Sequence, residues 1–287
     1  MAGASFEFFS VFLTTKINEM NYNDIFARLW EAYTFRNPST LRVHDLFCAE
    51  GETVMNDHIA FRTFRSRDFG VDNLSKVFLK NGYEFRGDYH FESKQLYAKH
   101  FEHKTDANAP RVFISELLVE KFSPFLQETV RSWMASIPEA MHDSDDLIYA
   151  GNISGVPSYA VYEKLRSESE YAAWLYVNGF CANHFTVSVN RLVKLNTIEK
   201  VNIFLKSHGF LLNDAGGEIQ GTPGELLEQS SIKAEMSIFN FSEGNFEIPG
   251  CYYEFAKRYP DADGRLYSGF IAKSADKIFE STNFYKK

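Results

Sequence analysis

The feature that most constrains this 287-residue chain is a repeated register. His58 lies in a β-type run, Asn56-Asp57-His58-Ile59-Ala60-Phe61-Arg62-Thr63-Phe64, and His184 lies in another, Asn183-His184-Phe185-Thr186-Val187-Ser188-Val189. The two histidines are 126 residues apart. Nineteen residues after His58 comes Val77-Phe78-Leu79-Lys80-Asn81-Gly82; nineteen after His184 comes Ile203-Phe204-Leu205-Lys206-Ser207-His208-Gly209. A spacing shared between a His-bearing strand and a helix-ending Phe-Leu-Lys segment marks a duplicated unit.

Each unit continues in the same order. Helices are predicted over 71–81 and 197–208, followed by β-like segments. In the first half these are Tyr83–Phe91, Leu96–His103 and Arg111–Leu118; in the second, Phe210–Asn213, Ile232–Phe241 and Cys251–Arg258. The expected fold is α+β, with two βαβββ modules forming paired curved sheets around a cup and peripheral helices outside. The 28 Phe and 15 Tyr suit β-rich layers with an aromatic interior. The modules are expected at 51–118 and 181–260. An N-terminal extension with helices (1–50), a helical insertion (119–180) and a C-terminal tail (261–287) complete the chain. Within the first of these, Tyr22–Tyr33 carries apolar residues at helical spacing, with Asn23 as the expected N-cap.

Charge and cysteine usage narrow the function classes. The net charge of −8 carries no basic stripe or nucleic-acid motif, so a duplex-binding role is not expected. The apolar run Phe6–Leu13 is far shorter than the roughly 20 residues that span a bilayer, lacks a basic leader, and reads as a docked or frayed extension. Cys48, Cys181 and Cys251 are odd in number and widely spaced, which suggests free thiols in a cytoplasmic, reducing setting.

Strand alternation groups the candidate site residues. His58 shares a face with Ala60, Arg62 and Phe64, and His184 with Thr186, Ser188 and Asn190; on the last strand Tyr252, Glu254, Ala256 and Arg258 share a face. Glu254 is a carboxylate inside an aromatic β run, costly to bury unless it is paired or binds a metal. Glu116, in Val112-Phe113-Ile114-Ser115-Glu116-Leu117-Leu118, poses the same question as a fourth ligand, a supporting partner or an ion-paired sheet residue. Two imidazoles and one carboxylate, His58, His184 and Glu254, form a facial triad suited to non-haem Fe(II). Arg62 lies four residues beyond His58, about 13 Å along the strand. Its planar fork suits a substrate carboxylate. Ser188 occupies the equivalent position in the second unit, so the arginine is not part of the repeated framework.

Three segments together resemble the 2-oxoadipate dioxygenase/decarboxylase family of the vicinal oxygen chelate superfamily. They are Asn56-Asp57-His58-Ile59-Ala60-Phe61-Arg62, Ala182-Asn183-His184-Phe185-Thr186 and Tyr253-Glu254-Phe255-Ala256-Lys257-Arg258. The resemblance runs from about residue 22 to 260, and the last segment is also similar to the Glu-bearing strand of hydroxyphenylpyruvate dioxygenase. It implies an Fe(II) enzyme, with His58, His184 and Glu254 as ligands, that converts 2-oxoadipate and O2 into 2-hydroxyglutarate and CO2, as in lysine breakdown. Arg62, with Ser188, would bind substrate. Two other readings use the same scaffold. One is a glyoxalase-like lyase or isomerase with Zn, Ni or Mn and Glu116 as fourth ligand; the other is a non-catalytic small-molecule binder. A hydrolase is not indicated, since no Gly-x-Ser-x-Gly elbow is present.

Overall fold

A computed structural model of the chain describes residues 21–282; the run Phe6–Leu13 lies outside them. Two helices come first, α1 (Tyr22–Arg36) and α2 (Pro38–Ala49). The N-cap of α1 is Asn21, two residues before the expected Asn23. Its side chain accepts from the Asn23 and Asp24 amides while the Asp24 carboxylate accepts from the Asn21 amide, a reciprocal box that an Asn23 cap would forgo. The stripe Ile25, Phe26, Leu29 and Tyr33 is buried as its spacing predicts. Helix α2, unassigned from the sequence, starts on Pro38, whose fixed φ and missing N–H suit a first turn.

The first module follows the expected order: β1 (Asn56–Phe64), α3 (Val71–Leu74), α4 (Lys76–Lys80), β2 (Tyr83–Phe91), β3 (Leu96–His103) and β4 (Arg111–Leu117). The insertion forms α5 (Pro124–Ala135), α6 (Tyr159–Glu168) and α7 (Glu170–Asn178). The second module has β5 (Ala182–Ser188), α8 (Ile198–Ser207), β6 (Gln220–Thr222), β7 (Leu227–Ser231), β8 (Met236–Phe241), β9 (Gly244–Pro249) and β10 (Tyr252–Arg258). Helix α9 (Ala272–Ile278) and a 3-10 turn over Phe279–Thr282 end the described chain.

Two of the second module's strands differ from the sequence reading. Phe210–Asn213 contributes one bridge, Leu212 to Ile232, and Ile232–Phe241 runs from the end of β7 into the β8–β9 hairpin, which lies outside the main sheet. The strand beside β10 is instead β7, Leu227-Glu228-Gln229-Ser230-Ser231, buried throughout. Its polar side chains are hydrogen-bonded: Gln229 to Glu254, Ser230 to Asn202, and Ser231 to Ser281. A buried polar strand gives no hydrophobic alternation to read.

The two modules join edge to edge through antiparallel β1 and β5, giving one eight-stranded sheet in the order β2-β3-β4-β1-β5-β10-β7-β6. Each module pairs its first and last strands in parallel, β1 with β4 and β5 with β10. The sheet is strongly curled. Laid flat, its outer strands would stand about 34 Å apart at 4.8 Å per strand. Helix α9, roughly 10 Å long at 1.5 Å per residue, nevertheless contacts both β2 and β6. It thus bridges the two ends over the concave face.

On the convex face, Phe185 and Tyr253 pack on Trp30 of α1, Phe255 on Phe47 of α2, and Phe61 on Phe78 of α4. This packing turns the alternate residues of β1, β5 and β10 (His58, Arg62, His184 and Glu254) into the cup.

Candidate metal centre

The three predicted ligands converge at the seam between the modules. His58 Nε2 lies 3.6 Å from Glu254 Oε1, and His184 Nε2 lies 3.1 Å from Glu254 Oε2. One donor atom from each residue falls within 4.8 Å of the others, and all three side chains are buried. Parallel pairing sets this arrangement: Tyr252 aligns with His184, and Glu254 with Thr186 one pleat further, while antiparallel pairing places Thr186 opposite His58.

Each imidazole is oriented from behind. His58 Nδ1 donates to Asp57 Oδ1 at 2.8 Å, and His184 Nδ1 donates to Asn183 Oδ1 at 3.0 Å. Both Nε2 lone pairs therefore face Glu254, with the Thr186 hydroxyl 3.0 Å from that of His58. Burial pushes the His184 imidazole below its usual pKa, against an opposing pull from Glu254. For Glu254 burial raises the carboxyl, but His184 and His58 bring it net below the usual value. A neutral imidazole and an ionised carboxylate are the protonation states metal ligands require.

The donor set fits a divalent ion. Glu254 is 1% exposed, and its hydrogen-bond and ion-pair partners among the described residues are the two imidazoles and Gln229 Nε2, 2.6 Å away. No arginine or lysine offsets its charge there, which is costly without a further cation. The 3.1 Å from His184 Nε2 to Glu254 Oε2 is close to the roughly 3 Å edge expected of a facial triad with bonds of about 2.1 Å, and one donor from each residue lies within 4.8 Å of the others.

Glu116 is not the counterpart of Glu254. The matching registers pair His58 with Arg111 and Ala60 with Phe113, as they pair His184 with Tyr252 and Thr186 with Glu254. Phe113 therefore occupies the fourth-ligand position. The β8–β9 insertion delays the last strand of the second module, so glutamates matched by order alone fall out of register. Glu116 lies on the convex side, where Oε1 accepts from Arg65 Nε at 2.9 Å and Oε2 accepts from the Val71 amide at the start of α3 at 3.0 Å. The four-ligand lyase reading is overturned on this ground. Glu116→Gln should leave metal stoichiometry unchanged while costing about 1–3 kcal/mol of stability, a fall in Tm of a few degrees readable by calorimetry.

Arg62 is 1% exposed and does not pair with Glu116 or Glu254. Its NH2 donates to Thr282 Oγ1 at 3.3 Å, and NH1 lies 3.6 Å from Glu170 Oε1, beyond hydrogen-bond reach. Nε and NH1 have no hydrogen-bond partner among the described residues. The rings of Tyr171 and Trp174, each 5.0 Å away, and Phe279 at 5.8 Å enclose the guanidinium. Glu170, Tyr171 and Phe279 also line a cavity of about 340 Å³. Ser188 pairs with Ala256 at the end of β5, and its amide donates to the Met55 carbonyl.

Several residues of the cup were not assigned roles from the sequence. Asp57 and Asn183 occupy equivalent places in the repeat, and this spacing was the available signal for their shared function. Phe270 comes from the segment read as a tail. Its ring centroid lies 4.8 Å from those of both His58 and Phe113, making it an apolar roof. No local pattern marks it.

The chain matches the model of the 2-oxoadipate dioxygenase/decarboxylase family over residues 26–144 and 152–265. An Arabidopsis thaliana relative, the chloroplastic 2-oxoadipate dioxygenase/decarboxylase, is 36% identical over 92% of this chain and 78% of its own length. The crystal structure of Oryza sativa hydroxyglutarate synthase in complex with 2-oxoadipate has a TM-score of 0.86 at 33% identity, covering 92% of each chain. A crystal structure from Shewanella frigidimarina, of a protein described as a hydrolase, has a TM-score of 0.83 at 47% identity. It covers 88% of this chain and 98% of that one.

Proposed function

Because the chain belongs to the 2-oxoadipate dioxygenase/decarboxylase family, we propose that it is an Fe(II)-dependent oxidoreductase converting 2-oxoadipate and O2 into 2-hydroxyglutarate and CO2. The observation that carries this reading is the buried His58–His184–Glu254 triad with phenylalanine at the fourth position. Such a face leaves room for a chelating 2-oxo acid and for oxygen, which a four-ligand site would restrict. Bound there, Fe(II) would supply the redox chemistry for oxygen and the Lewis acidity toward the 2-oxo acid.

The protein's own contribution is positioning and exclusion of water. Asp57 and Asn183 fix the imidazole orientations, and Gln229 holds the Glu254 carboxylate. Phe113 and Phe270 present apolar surface beside the triad. Arg62, with two unpaired donors, holds the distal carboxylate of the substrate, and so selects a dicarboxylic 2-oxo acid over a monocarboxylic one. Ser188, at the matching place on β5, is proposed to line the same chain. The unpaired Cys48, Cys181 and Cys251 suit a reducing compartment, in our reading the cytoplasm. Among the described residues, no helix is long and apolar enough to cross a membrane.

The test is oxygen uptake by metal-stripped protein reconstituted with Fe(II), with and without 2-oxoadipate. Uptake that requires both, with stoichiometric 2-hydroxyglutarate, is the expected result. A fully metallated protein that consumes no oxygen with 2-oxoadipate or related 2-oxo acids would overturn the reading.

A further inference from the structure

The two histidine ligands are supported unequally. Behind His184 stands a neutral amide, Asn183; behind His58 stands a carboxylate, Asp57. Asp57 is itself held by Arg258, whose Nε and NH2 reach its two oxygens at 2.7 and 2.8 Å, with Arg111 NH1 3.5 Å from Oδ2. Arg258 is fixed in turn, because its NH1 donates to the carbonyls of Tyr267 (3.0 Å) and Gly269 (2.7 Å). Asp57 and Arg258 are both almost fully buried.

This arrangement is not a property of the repeat. In the second module the residue matching Asp57 is Asn183. In the first module the residue matching Arg258 is Leu117, four places beyond Phe113 as Arg258 is four beyond Glu254. Both halves of the ion pair are thus absent from the symmetry-related location. Burying an aspartate and an arginine there carries a desolvation cost that the sister location avoids with an amide and a leucine. A scaffold role would be served equally well on both sides.

Resting on the metal-site reading, we infer that Asp57, clamped by Arg258, is a positioning residue. It makes His58 the stronger metal donor of the two histidines, so that His58 and His184 are chemically inequivalent ligands. A carboxylate accepting from Nδ1–H fixes the tautomer and increases electron donation at Nε2, and loss of such a partner typically lowers metal affinity about 10–100-fold. A neutral amide fixes the tautomer but donates less. The ion pair also spans the seam, with Asp57 on β1 and Arg258 on β10, and so ties His58 to residues 267–270 beneath Phe270.

The experiment uses Co(II) as the probe, titrated into the metal-stripped full-length chain by competition with a chelator. Wild type, D57N and N183D are compared, with Glu116→Gln as a variant that weakens the fold away from His58. Stoichiometric binding to wild type tests the metal site itself, independently of any difference between the two histidines. Asp57→Asn copies the residue already present behind His184 and should weaken Co(II) binding at least tenfold, whereas Glu116→Gln should not. Asn183→Asp should tighten it about threefold or more. A folded D57N that binds Co(II) within a factor of ten of wild type overturns the inference. Should D57N fail to fold because Arg258 is left unpaired, N183D decides, and no tightening there overturns it as well.

Discussion

Glu254→Gln should retain the fold and lose the metal, with turnover of 2-oxoadipate falling by on the order of 10³ or more, equivalent to about 4 kcal/mol. The substitution keeps the side-chain volume and a carbonyl oxygen for Gln229 Nε2, so the local packing survives. It removes the only anionic member of the triad, leaving two neutral imidazoles that bind a divalent ion weakly. The metal dependence of the stability change identifies the cause. In the metal-free protein the two imidazoles hold the buried Glu254 carboxyl net below its usual value, so its replacement by an amide should leave the apo Tm unchanged or lower it slightly. Metal at a hundred times its Kd stabilises the wild type by about 2.7 kcal/mol, several degrees in Tm for a domain of this size. That metal-dependent shift should vanish in the variant. A Glu254→Gln protein that still shows the full shift would show that the ion is held elsewhere.

The triad was legible in the sequence because duplication supplied a ruler. Neither histidine is distinctive alone, but one offset relates both strands and both following helices, and alternation then puts the ligands on one face. The same ruler failed where the two halves are not equally long. The β8–β9 hairpin displaces the final strand, so matching Glu116 to Glu254 by order gave a false counterpart; strand register shows Phe113 in that position. β7 was missed for a different reason: it is stabilised by side-chain hydrogen bonds instead of an apolar face. Helix α2 was missed because its apolar positions are interrupted by polar ones, and Ser39 and Thr40 are buried with them. The roof of the cup was beyond local reading altogether. Phe270 and Thr282 reach the site because α9 spans the concave face, a tertiary fact with no short-range signature.

For Arg62, replacement by methionine should lower kcat/KM for 2-oxoadipate about 10²–10³-fold, since truncating one partner of a buried charge pair costs roughly 2–5 kcal/mol. Metal affinity should not change. The guanidinium lies 5.0 Å from the Tyr171 and Trp174 rings, and its NH2 is partly engaged by Thr282, yet Nε and NH1 are left without hydrogen-bond acceptors. A buried cation with two unsatisfied donors is an unfavourable resting state unless an anionic ligand completes it. Glu170, 3.6 Å from NH1, forms an ion pair with it but no hydrogen bond, and it is partly exposed at the cavity wall, so it can stay hydrated when the arginine is removed. Methionine should therefore be tolerated in the resting protein. Arg62→Lys should recover only part of the lost rate, because a single ammonium cannot reproduce the planar two-point contact. The discriminating measurement compares 2-oxoadipate with 2-oxohexanoate, which has the same chain length and no distal carboxylate. If Arg62 reads that carboxylate, the wild-type preference for 2-oxoadipate should collapse toward unity in Arg62→Met while turnover of 2-oxohexanoate changes little. Equal losses for both substrates, accompanied by a lower Tm, would instead make Arg62 a structural partner of Glu170 and move the search for the carboxylate site to Arg111, whose Nε is also buried without a partner.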